Sequence, residues 1–132
     1  GDANAENNLG YMHDQGQGGP QDYAAARRWF ALAVDQGNAN AENNLAYMHQ
    51  HGQGGPQDYA TARRRYGLAA DQGLAEAQVN LGNMHEYGHG GPQDYAAARR
   101  WYGLAADQGL ADARSKLDAL LERESQRAAE AR

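Results

Sequence analysis

The chain contains no cysteine, a single lysine and very few hydroxyl side chains. Without cysteine there is neither a disulfide frame nor thiol chemistry, and the compartment stays open. Apart from the tyrosines, the hydroxyls are Thr61, Ser115 and Ser125, and the lysine is Lys116. No nucleophile therefore stands beside a plausible base, and no pair of carboxylates is marked out for acid–base work. The expectation is a protein without catalysis. No apolar run approaches the roughly 18 residues needed to span a bilayer. There is no secretory signal and no initiator Met. The chain starts at Gly1 within a repeating frame, which reads as a trimmed chain or a fragment of something longer. Acidic residues outnumber basic ones, 17 to 12, and the net charge of −5 argues against nucleic acid or an anionic membrane as partner.

What the chain does have is one passage written three times. Residues 1–36, 37–72 and 73–108 align without a gap, with 27 of 36 positions identical between the first two copies and 25 of 36 between the first and third. Residues 109–132 begin a fourth copy and leave it halfway. A fixed period of this length marks a solenoid, in which each unit buries its apolar face only against its neighbours. Residues 1–132 are therefore expected to form a single repeat domain, built to hold something rather than to transform it.

Within one copy, Ala5, Leu9, Met12 and His13 fall at i, i+4, i+7 and i+8, one face of a helix. Gly16 offers a left-handed stop, and Gln17-Gly18-Gly19-Pro20 breaks the chain. Asp22 can then cap a second helix whose apolar face holds Tyr23, Ala26, Trp29 or Phe30, Ala33 and Val34, with Gly37 ending it. Each copy thus predicts an antiparallel pair of helices, near 3–15 and 22–36. Gly10, Ala46 and Gly82 share one position and Ala26, Ala62 and Ala98 another; a larger side chain there is expected to overpack, at a cost of about 1–3 kcal/mol. The pairs Arg27/Arg28, Arg63/Arg64 and Arg99/Arg100 read as a solvated helix face.

The pattern Ala5…Leu9-Gly10-x-Met12, Gly16-x-Gly18, Asp22-Tyr23-x-x-Ala26-x-x-Trp29-Phe30 and Ala33-x-Asp35-Gln36-Gly37 resembles the Sel-one-like (SLR) repeat, a 36-residue relative of the tetratricopeptide repeat. The likeness covers residues 1 to about 121. It implies an all-α, right-handed superhelix of antiparallel helix pairs, with first helices lining a concave groove. It also implies an adaptor for proteins or peptides, without catalytic residues. Three departures stand out: His13, His49 and His85 replace the usual Tyr, Pro20, Pro56 and Pro92 replace a frequent Val, and Arg65 replaces the Trp seen at Trp29 and Trp101. Arg65 implies a middle unit that is either less tightly packed or covered by the arginine stem.

In residues 109–132, Leu117, Leu120 and Leu121 keep a first-helix face, while Asp118 takes the small-residue position. This half repeat is expected to be a capping helix, with the polar stretch Glu122–Arg132 continuing into solvent. The first repeat has no such cap, and self-association through it is the alternative to a binding role.

The resemblance implies which positions line the groove. They are Asn4, Asn7, Tyr11, Asp14 and Gln15 in the first copy and Asn40, Asn43, Tyr47, Gln50 and His51 in the second. In the third copy they are Glu76, Val79, Asn83, Glu86 and Tyr87. Helical geometry places these five positions on one stripe about 100° wide. All five vary among the copies, against nine of the other 31 positions, which suits a constant scaffold with a varied inner face. Amides can hold the backbone of an extended peptide, tyrosines add contact area, and the acids of the third copy favour a basic partner. The invariant Asn8, Asn44 and Asn80 are expected to bond to neighbouring backbone. Five histidines invite metal binding, but His13, His49 and His85 sit on successive units about 10 Å apart, too far to share one ion. Gly88 separates His85 from His89, and His49 and His51 point apart. No cofactor or metal is expected.

Overall fold

A computed structural model describes residues 2–132; Gly1, where the 36-residue frame begins, lies outside them. Those residues form seven helices and no strand: α1 (Ala3–Gln15), α2 (Tyr23–Asp35), α3 (Ala39–His51), α4 (Tyr59–Asp71), α5 (Ala75–Tyr87), α6 (Tyr95–Asp107) and α7 (Ala111–Glu130). The first helix of the repeat falls where periodicity puts it. The second starts one residue after Asp22, because that aspartate serves as the cap: it accepts from the Ala25 amide at 3.0 Å, as Asp58 and Asp94 do from Thr61 and Ala97. Gly16, Gly52 and Gly88 end the first helices at φ of 70°, 65° and 67°, with their N–H on the carbonyls of Met12, Met48 and Met84.

Extensive contacts join only sequence neighbours, α1 to α2 and onward to α7, which is solenoid stacking. Within each pair the ring of Phe30, Tyr66 or Tyr102 lies across the small residue of the first helix. A methyl built on Gly10 or Gly82 would stand 2.6 Å from the ring of Phe30 or Tyr102. The middle unit accommodates Ala46 there, fully buried beside Tyr66, so the second ring yields by a methyl's worth. Between pairs, Leu45 and Met48 of α3 pack on Ala26, Phe30 and Ala33 of α2. Leu117 and Leu120 of α7 close the far end over Ala98, Tyr102 and Ala105.

The arginine pairs divide in two. Arg28, Arg64 and Arg100 are exposed as expected, whereas Arg27, Arg63 and Arg99 reach into the following unit. Arg27 donates through Nε to the Gln53 carbonyl at 2.7 Å and through Nη2 to that of Met48 at 3.3 Å. Arg63 donates to the Pro92 carbonyl at 2.9 Å. Arg99, whose following unit has no such loop, instead meets the Glu124 carboxylate at 2.5 Å. These arginines are staples between repeats and not part of a solvated helix face.

At Arg65 the side chain is largely covered, and its Nη1 pairs with Glu42 of α3 at 2.9 Å, where Glu42 is itself buried. The C-terminal stretch is not free in solvent along its length either. Arg123 pairs with Glu86, Glu124 with Arg99, and Arg127 lies 5.3 Å over the Tyr95 ring.

Candidate partner-binding groove

The first helices α3, α5 and the start of α7 enclose a depression of about 310 Å³, lined by Asn43, Tyr47, Glu76, Val79, Asn80, Leu110 and Asp112. Four of these belong to the stripe expected from sequence. Asn80, Leu110 and Asp112 do not, yet Asp112 falls in register with Asn4, Asn40 and Glu76, so carrying the stripe into the half repeat would have found it. Tyr47 is nearly half exposed, and its ring stands 4.0 Å from that of His51, which steadies it as a wall.

The remaining stripe positions separate by depth. Asn4, Tyr11, Gln15, Asn40, His51, Glu76 and Tyr87 are exposed, while Asn7, Asp14, Gln50 and Asn83 are half-buried. Three side chains are buried and take structural parts. Val79 belongs to the core formed with Tyr102 and Leu117. Asn43 is held in an asparagine ladder: Asn80 donates through Nδ2 to Asn43 Oδ1 at 3.0 Å, as Asn44 does to Asn7 at 3.1 Å. Asn44 and Asn80 therefore bond to side chains of the preceding unit, contrary to the backbone partners expected of them.

Glu86 is the clearest correction to the stripe. It is buried, accepts from the Tyr102 hydroxyl at 2.6 Å and pairs with Arg123. Gln50 receives the Tyr66 hydroxyl in the same way at 2.7 Å. Asp14 holds the same position in the first unit, where the ring residue is Phe30, which has no hydroxyl to give. Burial raises the ionisation of Tyr66 and Tyr102 well above the ordinary tyrosine value, and the bond to Glu86 adds to the effect at Tyr102. Both remain neutral donors.

The comparisons with known proteins agree with this fold. The Sel1 repeat family model matches residues 3–38, 39–74 and 75–110 in succession. The chain belongs to the Sel1-repeat family. The Sel1 matches begin where each first helix begins. Among solved structures, c5321, a protective antigen of uropathogenic Escherichia coli strains with an SLR fold, superposes with a TM-score of 0.89 at 36% identity. That match covers 92% of this chain and 26% of c5321. A Sel1 repeat protein from Oxalobacter formigenes gives 0.83 at 31% identity, over 88% of this chain and 48% of that one. Cysteine-rich protein B of Helicobacter pylori gives 0.72 at 16% identity, over 86% of this chain and 92% of its own; that likeness is one of fold. The chain thus spans about a quarter and about half of the two Sel1-repeat structures. No curated protein matches its sequence. Sel1-repeat proteins generally serve as scaffolds for protein interactions.

The histidines that depart from the Sel1 pattern are half-buried at the bend of each unit. His85 Nδ1 lies 2.6 Å from Arg63 Nη2, so it accepts and carries its proton on Nε2. Burial, then the neighbouring arginine, lowers the proton affinity of His85, and the same causes act on His49 beside Arg27 and Arg65. Among the described residues, no three potential metal ligands converge. No helix there is long and apolar enough to cross a membrane.

Proposed function

We propose that this chain is a non-catalytic interaction scaffold that holds a partner protein, as an extended segment, along the face formed by its first helices. The observation that carries this reading is the convergence of copy-variable positions from three successive units on one depression, with Tyr47 standing free above it. Aromatic walls over a partly apolar floor are what anchors a few strong contacts in an otherwise polar surface. The floor here is largely amide and carboxylate, so the affinity is modest and the fit is set by shape and polar pairing.

The test is capture from lysate with the parent chain and with a Tyr11→Ala/Tyr47→Ala variant of unchanged helical circular dichroism. Both tyrosines are exposed and touch no core cluster, so the fold is expected to survive. A partner held by the parent and weakened about tenfold or more in the variant supports the groove. A partner held equally by both moves the contact elsewhere, for instance to the outer face, where Leu32, Leu68 and Leu104 are exposed.

A second reading has its own observation. Leu9 and Met12 lie open on α1, while their counterparts in later units are buried. A second copy could cover them and give a dimer. Light-scattering mass at two concentrations decides it: a concentration-independent monomer ends this reading and leaves the first untouched.

A further inference from the structure

The depression between α3, α5 and α7 holds groups that the polypeptide itself leaves unused. Glu76 and Asp112 are exposed, and no ion pair among the described residues involves either, not even with Lys116 one turn along α7 from Asp112. Asn43, more than nine-tenths buried, accepts through Oδ1 from Asn80, and among the described residues its Nδ2 donates to nothing. The same bond uses one of the two N–H groups on Asn80 Nδ2 and leaves its Oδ1 as an acceptor. Val79 and Leu110 add apolar surface to the lining.

We propose that this depression binds an extended peptide carrying a lysine or arginine between Glu76 and Asp112, with its backbone read by Asn43 and Asn80. The inference rests on the groove reading above and specifies its ligand class. The ladder bond fixes both amides, which line the depression and together keep unused N–H groups and an unused carbonyl oxygen. That pairing complements the carbonyl and N–H of an extended segment. Two unpaired carboxylates in a concave, partly apolar site attract a cation more strongly than the same charges on a convex surface. The methylene stem of a lysine or arginine can lie over Val79 and Leu110 while its head remains wet.

A local role for the acids also exists. α5 and α7 start from Leu74 and Leu110, which supply no side-chain cap, and a first-turn acid offsets that lack. In α1 and α3, where Asp2 and Asn38 cap the helix, the same position is Asn4 or Asn40. Capping accounts for an acid at each place. It does not account for the idle amide groups between them.

Fluorescent peptide pools about nine residues long, long enough to cross more than one repeat when extended, provide the probe. Each pool fixes Lys, Arg, Glu or Leu at its centre and randomises the rest. Anisotropy is read with the parent, with Glu76→Gln/Asp112→Asn and with Tyr47→Ala, all checked for unchanged thermal unfolding. The Lys and Arg pools are expected to bind the parent about tenfold more tightly than the Glu and Leu pools, and added salt should shrink that margin. The margin should vanish in Glu76→Gln/Asp112→Asn. Persistence of the basic preference in that variant overturns the inference by placing the cation elsewhere. Equal binding of all pools by the parent, weakened by Tyr47→Ala, overturns the inference and leaves the groove reading standing. Failure of every pool to bind the parent removes both.

Discussion

Leu9 and Leu45 occupy one position in two nearly identical repeats, yet Leu9 is 37% exposed and Leu45 3%. Met12 and Met48 differ in the same way, at 40% and 1%. The local sequence around each pair is almost the same, and so is the helix it forms. The difference is the neighbour: α3 lies on α2, and among the described residues no helix packs on the other side of α1. At the other end α7 supplies that neighbour, burying Leu117 and Leu120 over α6. In a one-dimensional stack, burial belongs to the interface between units and cannot be assigned to a unit alone.

The largest expected effect comes from replacing these paired residues. Leu45→Ala should lose about 2–5 kcal/mol in urea unfolding, because it opens a cavity in a closed interface. Leu9→Ala should cost well under about 1 kcal/mol, since solvent already reaches the side chain. Equal losses would mean that the first repeat is covered in solution.

The Gly-Gly-Pro loops sharpen the contrast. Gly18 and Gly54 share a left-handed φ of 77° and 75°. A methyl on Gly54 would also stand 2.7 Å from the Tyr23 carbonyl of the preceding unit, whereas Gly18 has only the Met12 methyl at 3.8 Å. Gly18→Ala should therefore cost about 1 kcal/mol of backbone strain, and Gly54→Ala about 1–3 kcal/mol beyond that for the forced shift. Thermal unfolding of the two variants side by side measures the difference.

A smaller contrast lies between Glu86 and its first-unit counterpart Asp14. Glu86→Ala strands the buried Tyr102 hydroxyl and breaks the contact to Arg123, with an expected loss of about 1–3 kcal/mol softened by Asn83, which also accepts from that hydroxyl. Asp14→Ala, in the unit whose ring residue is Phe30, should be close to neutral. An equal loss at both sites would show that the acid acts through something other than the hydroxyl.

The smallest effect is one of pH. The fold holds His49 and His85 neutral below the ordinary histidine value of 6.5. The unfolded chain takes up protons there, so their contribution is complete above about pH 6.5 and declines as pH falls through that value. The unfolding midpoint should drop between about pH 7.5 and pH 5.5, and His85→Gln, which can still accept from Arg63, should flatten part of the slope.

The helices and their caps were legible in the sequence because their causes are local. Asp22, Gly16 and the spacing of Leu9 and Met12 act within a few residues. The site was only half legible. Tyr47 and Glu76 are exposed on the stripe, but Val79 and Glu86 share that helical face and are buried, because side chains of α6 and α7 pack against them. Arg27, Arg63 and Arg99 were misread for a related reason. Their partners are carbonyls and a carboxylate at least 21 residues away, and nothing in the local pattern separates a staple from a solvated arginine.

By itself the sequence determined the 36-residue unit, its two helices and the order of stacking, since caps, turns and periodicity are short-range forces repeated in register. The tertiary structure alone decided which identical residues are buried, which arginines join units and which asparagine atoms remain free. Those properties arise where two units meet.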